Sequence, residues 1–134
     1  MKKSFVIALQ FFIVASSFLI SVAVKADIYD EVSAAIRSGN SKDIARFFNA
    51  NVDLAILTQE DVYSKVQAEL ILKDFFVKNS PKTFTIIHRG TSKEGAMYSI
   101  GTLTTAQGLS FRVYFFIKQT NEKYYLQELR FEKE

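Results

Sequence analysis

Residues 84–90, Phe-Thr-Ile-Ile-His-Arg-Gly, carry the only histidine of the chain, His88, beside Arg89. Histidine is the side chain whose ordinary pKa lets it move a proton near neutral pH, and a tyrosine next to it can donate or accept a hydrogen bond. Tyr98, on the next strand-like segment, is placed to face His88, and Tyr63 is a second tyrosine that could stand at the same mouth. Such a group could bind a ligand or protonate it. It could equally be a structural histidine with satisfied neighbours, because no second catalytic group accompanies it.

Other chemistries find less support. With no cysteine there is no thiolate nucleophile, no disulfide, no thiolate zinc site and no lipid-modified N-terminal cysteine. No serine sits in a G-x-S-x-G turn, as a hydrolase nucleophile would. One histidine leaves only scattered carboxylates for a metal. Asp27, Asp30 and Glu31 cluster without calcium-loop spacing and suit the positive end of a helix instead. No glycine-rich phosphate loop occurs. The sequence therefore calls for no metal and no cofactor.

The elements that must position these residues begin after a leader. Lys2 and Lys3 precede a mostly apolar run from Phe5 to Val24, and Val24-Lys25-Ala26 offers small residues for cleavage after Ala26. Residues 1–26 thus read as a secretory signal peptide, which predicts export to the periplasm or beyond. The rival is an uncleaved anchor, since an apolar run of about 20 residues can span a bilayer. Without the leader, three of the 17 basic residues leave and 14 remain against 14 acidic ones. A balance near zero gives no electrostatic footprint for nucleic acid and no polybasic membrane patch. Residues 27–134 are one domain by length.

Within them, residues 27–39 predict a helix: Ile28, Val32 and Ile36 recur every fourth position and Gly39 sits at the cap. Ser41 predicts the cap of a second helix, ended by residues 49–51, and alternation over 52–56 predicts a short strand. Ser64 and Gln67 have capping-box spacing for a third helix to about Lys78, with Val66, Leu70, Ile71 and Phe75 as its inner stripe. After Pro81, residues 83–89, 97–105, 109–119 and 123–132 read as four strands in an antiparallel meander. The fold class is α+β, with three helices on one face of a curved antiparallel sheet of four main strands plus the early one, shaped as a cone.

A two-residue turn at Gln107-Gly108 would put Thr104, Thr102, Ile100 and Tyr98 opposite Phe111, Val113, Phe115 and Ile117 under the helices. His88 would share that face with Phe84 and Ile86. The other face would then carry Tyr114, Phe116, Tyr124 and Leu126 among charges. Apolar groups with a charged rim suggest a contact surface, although aromatic residues also simply favour strands.

The stretches YSKVQAELILKDFFVKNSPKTFTIIHRG, YSIGTL, FRVYFFIK and YYLQELRFE resemble domain of unknown function 4783, a family of small secreted proteins typical of Bacteroidetes. The resemblance implies a place in the nuclear transport factor 2-like superfamily, with a cystatin-like cone of helices over a bent sheet. It implies an envelope or extracellular location and brings no catalytic residues. The expected function is a non-catalytic binding or assembly module, a homodimer or the partner of an envelope protein through the mixed sheet face. Two alternatives stay open: a small-molecule binder using the cone interior, or a ketosteroid isomerase-like acid–base enzyme, which needs a carboxylate inside the cone.

Overall fold

The computed structural model describes residues 27–134 apart from Lys93, so the predicted leader lies outside the described residues. Helices α1 (Ile28–Ser38) and α2 (Ser41–Ala45) lead into strands β1 (Phe48–Ile56) and β2 (Gln59–Ser64). Helix α3 (Lys65–Lys78) follows, then β3 (Pro81–Thr91), β4 (Met97–Thr105), β5 (Ser110–Thr120) and β6 (Lys123–Lys133).

Local chemistry sets the helix ends. The Asp27 carboxylate accepts the Tyr29 N–H at the start of α1, and Gly39 closes it in the left-handed region at φ 66°. Only glycine enters that region without cost, and Pro81 Cδ lies 2.7 Å from where a Gly39 Cβ would be. Asn40, not Ser41, caps α2 by accepting from the N–H groups of Lys42 and Asp43. Ser64 and Gln67 form the predicted capping box at α3.

The inner face of α3 differs from expectation. Ala68, Leu72, Phe75 and Phe76 are buried, whereas Val66 and Leu70 point outward and are 67% and 62% exposed. This helix has apolar residues on both faces, so periodicity alone could not say which one packs.

All six strands form one curved mixed sheet in the order β2-β1-β6-β5-β4-β3. The predicted antiparallel sheet is corrected at one ladder, because β1 pairs with β6 in parallel. The chain builds one edge as the β1–β2 hairpin, uses α3 to reach the other edge, and returns through the meander until β6 docks on β1. Strand β2 was absent from the expected elements. Its residues are exposed or half-buried along the whole length, so ladder bonds to β1 hold it and no hydrophobic alternation marks it. Among the described residues no helix is long and apolar enough to cross a membrane.

Three one-residue features decide which side chains face which way. The β4–β5 loop is Ala106-Gln107-Gly108: the Thr105 N–H donates to the Leu109 carbonyl at 2.8 Å, and Gly108 takes φ 85°. A three-residue loop ending in a left-handed glycine is a standard hairpin closure. It pairs Leu103 with Phe111, Gly101 with Val113 and Ser99 with Phe115. Thr102, Ile100 and Tyr98 therefore face away from the helices, not toward them as expected, because a one-residue slip turns every side chain over. The β3–β4 ladder shifts between Ile86 and His88, which leaves Ile87 as a bulge. On β6 the ladder to β5 shifts at Gln127, so Glu128 pairs with Phe116 and Leu126 with Ile117.

The core lies between the helices and the inner sheet face. Phe75 sits 4.8 Å from Phe131 and 5.4 Å from Phe111 between ring centroids, and Phe76 sits 5.9 Å from Phe131. Phe115, Leu129 and Leu103 are fully buried around them.

Candidate functional site: the open face of the sheet

Among the described residues no helix covers the outer face of the sheet, and the ladders place its residues in rows. One row runs Glu60, Ala55, Arg130, Tyr114, Ile100 and His88 across all six strands. The row beside it holds Asp53, Glu128, Phe116 and Tyr98. Tyr98, Ile100, Tyr114 and Phe116 are half-buried. They form an aromatic and aliphatic centre bordered by charge.

His88 and Tyr98 do meet, but on this face. The bulge at Ile87 turns His88 outward, and the longer β4–β5 loop turns Tyr98 outward as well. Nε2 of His88 lies 3.2 Å from the Tyr98 hydroxyl, and the Tyr98 ring lies over Gly90, whose added Cβ would come within 2.6 Å of it. The expected position of His88 under the helices is thus corrected. Tyr63 is on β2 at the opposite edge, paired with Val52 and packed against the core, so it is not part of this group.

Of the four predicted contact residues, Tyr114 and Phe116 stand on the open face. Leu126 is fully buried in the core beside Phe48 and Ile117, so it leaves the surface. Tyr124 shares the side of Leu126 by alternation, at the start of β6, and is 42% exposed there. The bulge at Gln127 is the reason for both corrections, and an unbulged count along β6 cannot find it. Ile100, Glu60 and Asp53 were missed. The first was assigned to the wrong face, and the others belong to the β1–β2 hairpin, whose second strand has no sequence signature.

Charge on this face is organised around Arg130, whose guanidinium bridges Glu60 and Glu128. The hydrogen bond to Glu128 raises the Arg130 pKa further above its ordinary value. Burial pushes the Tyr114 hydroxyl up, and the nearby Glu128 carboxylate adds to that. Asp53 Oδ1 is buried and has no hydrogen-bond partner among the described residues. Two adjoining hollows of about 460 Å3 and 400 Å3 share Ile100 and Arg112. Tyr114, Glu128, Arg130 and Glu132 complete the first, and His88, Ile87 and Glu134 the second.

The cone interior has a different character. Aromatic rings fill it, and the buried polar residues among those described are Ser33, Ser41, Ser99 and Thr105. Every described aspartate and glutamate lies outside the buried core, so the carboxylate an acid–base site needs is missing from it. No group of three or more histidine or carboxylate side chains among the described residues is gathered to hold a metal ion.

A curved mixed sheet with helices packed on it is a fold this chain shares with nuclear transport factor 2-like proteins. An NTF2-like protein of unknown function from Shewanella baltica OS155 superposes with a TM-score of 0.61 at 8% identity, over 79% of this chain and 87% of that one. The chain belongs to the family described as domain of unknown function (DUF4783), which it matches over residues 29–132. A DUF4783 family protein from Bacteroides fragilis YCH46 is 32% identical, with a TM-score of 0.74 over 81% of this chain and 100% of that one. Another from Bacteroides uniformis ATCC 8492 is 29% identical, with the same TM-score over 81% and 98%. No functionally curated protein matches the chain.

Proposed function

We propose that this chain is an exported, non-catalytic assembly module that works through the open face of its sheet, pairing with a second copy of itself. The observation that carries this is the half-buried centre of Tyr98, Ile100, Tyr114 and Phe116, left without helical cover and bordered by both signs of charge. Six strands at about 4.8 Å spacing and about 30 Å length present a face of roughly 700 Å2. A stable interface buries about 800 Å2 on each partner, so the whole of the face and part of its rim would be engaged. Arg112, Glu132 and Glu134 on the rim make no ion pair among the described residues, and a two-fold axis can bring opposite charges together there. The aromatic core around Phe75, Phe111 and Phe131 holds no carboxylate among the described residues, which weighs against an acid–base enzyme.

Sedimentation equilibrium of the purified protein tests the proposal. A monomer–dimer equilibrium that moves with concentration is expected. A monomer at millimolar concentration removes the homodimer, and an envelope protein recovered with it by cross-linking would replace the second copy as partner. Export rests on the leader, and N-terminal sequencing of protein from its host should begin at Asp27. A start at Met1 would refute cleavage.

A further inference from the structure

A cavity of about 590 Å3 lies between β3 and α1, lined by residues 84–89 of β3 and by Asp30, Ser33 and Arg37 of α1, and it shares only Ile87 and His88 with the hollows of the open face. Successive residues of a strand point to opposite faces. A cavity that touches all six must therefore follow the backbone edge of the strand. Among the described residues β3 is the last strand of the sheet and has a ladder only with β4, so this edge presents main-chain N–H and C=O groups without a strand partner among them. Its two ends are clamped. The Tyr29 hydroxyl donates to the Gly90 carbonyl at 2.8 Å, with the Arg89 guanidinium 5.2 Å over the Tyr29 ring. At the other end Gly39 packs on Pro81. The groove lies between these clamps.

We propose that this groove receives an extended acidic peptide segment, which joins the sheet as a seventh strand beside β3. Main-chain bonding to a bare edge is how extended peptides add to sheets. Six residues of strand span about 20 Å, an ordinary strand length. The walls select the charge. Arg37 is exposed and makes no ion pair among the described residues, and Arg89 is half-exposed with a partner only in Asp27 at 3.4 Å. The groove lining holds one carboxylate, Asp30, against these two guanidinium groups. A second copy of β3 is disfavoured, because that strand carries Lys82 and Arg89 and no acid, and would meet its own charge. The bulge at Ile87 further limits which strands can pair.

The test uses the full chain, purified in the form its host leaves, and a fluorescein-labelled eight-residue peptide alternating valine and glutamate. Fluorescence anisotropy at low salt should report binding. A matched valine–lysine peptide should bind at least about tenfold more weakly, and the acidic peptide with alternate amides N-methylated should not bind. Hydrogen exchange should slow in residues 84–89. Arg37→Glu should weaken the acidic peptide at least about tenfold, while Tyr114→Arg on the open face should leave it unchanged, which separates this site from the proposed dimer surface. No binding at millimolar peptide overturns the proposal. So does equal binding of the N-methylated or lysine peptide, or protection appearing on β2 instead. The peptide comparisons need no variant, so they decide the matter even where a substitution impairs folding.

Discussion

The imidazole of His88 and the phenol of Tyr98 stand 5.7 Å apart between centroids, inclined at 46°, on the uncovered face of the sheet. Two independent one-residue shifts bring them there. The Ile87 bulge turns over His88, and the third loop residue at the β4–β5 hairpin turns over Tyr98. Each shift alone would have put one side chain under the helices and the other in solvent.

Because His88 is exposed and Tyr98 half-exposed, their hydrogen bond should contribute little. His88→Ala and Tyr98→Phe are each expected to lower unfolding free energy by less than about 1 kcal/mol. Urea denaturation at neutral pH measures this. A loss above about 2 kcal/mol would mean that the pair is held in a packed interior.

Gly101 should be far less tolerant than its place in mid-strand suggests. A Cβ there would lie 2.7 Å from the Thr85 carbonyl oxygen and 2.8 Å from the Phe84 ring. Neither neighbour yields easily, since one is ladder backbone and the other a buried ring. Gly101→Ala is expected to cost about 1–3 kcal/mol by overpacking, read as a lower urea midpoint with an unchanged slope. An unchanged midpoint would show that Phe84 can move aside.

The parts of this fold that were legible in the sequence rest on local chemistry. Gly39, the Ser64–Gln67 box and Pro81 announce helix ends, and β-branched and aromatic runs announce the meander. What was hidden depends on partners distant in sequence. β2 has no apolar alternation because it is held by backbone pairing. The parallel union of β1 with β6 joins segments at least 75 residues apart. Bulges at Ile87 and Gln127 leave no mark in composition, yet they decide that His88 faces out and Leu126 faces in. The site was half visible for the same reason: Tyr114 and Phe116 lie on a strand whose alternation is unbroken up to them.

Helix α3 supplies a direct comparison between its two apolar faces. Leu72 is fully buried, and Leu72→Ala should cost about 2–5 kcal/mol through lost burial and the cavity left behind. Leu70→Ala, two residues earlier and so on the opposite side of the helix, should stay within about 0.5 kcal/mol. Thermal or urea unfolding of the two variants reads the difference. Equal losses would mean that the outer face of α3 is covered in the native assembly.

Alkaline pH should expose the contribution of the tyrosines. Burial raises the pKa of Tyr114, with Glu128 adding to it, and burial together with Asp27 does the same for Tyr29. The folded state therefore holds these protons more tightly than the unfolded state. Their stabilisation is fully present below the unfolded value near pH 10 and is lost as pH rises through the folded value. Stability should fall above about pH 10, and it should fall less steeply in Tyr114→Phe. Parallel curves for the two proteins would remove Tyr114 from the account.

The rim of the open face allows a charge-reversal test of assembly. Arg112 and Glu132 sit opposite each other on β5 and β6, both exposed and without an ion pair among the described residues. In a two-fold dimer Arg112 of one copy would face Glu132 of the other, so Arg112→Glu sets like charges against each other and should shift the equilibrium toward monomer by at least about tenfold. Glu132→Arg alone should do the same by the opposite sign. The double reversal restores complementarity across the axis and should recover most of the dimer. Since all three variants change only exposed side chains, circular dichroism and urea midpoints should stay near those of the parent. Dissociation that the double reversal fails to rescue would show that these charges do not face each other across the interface.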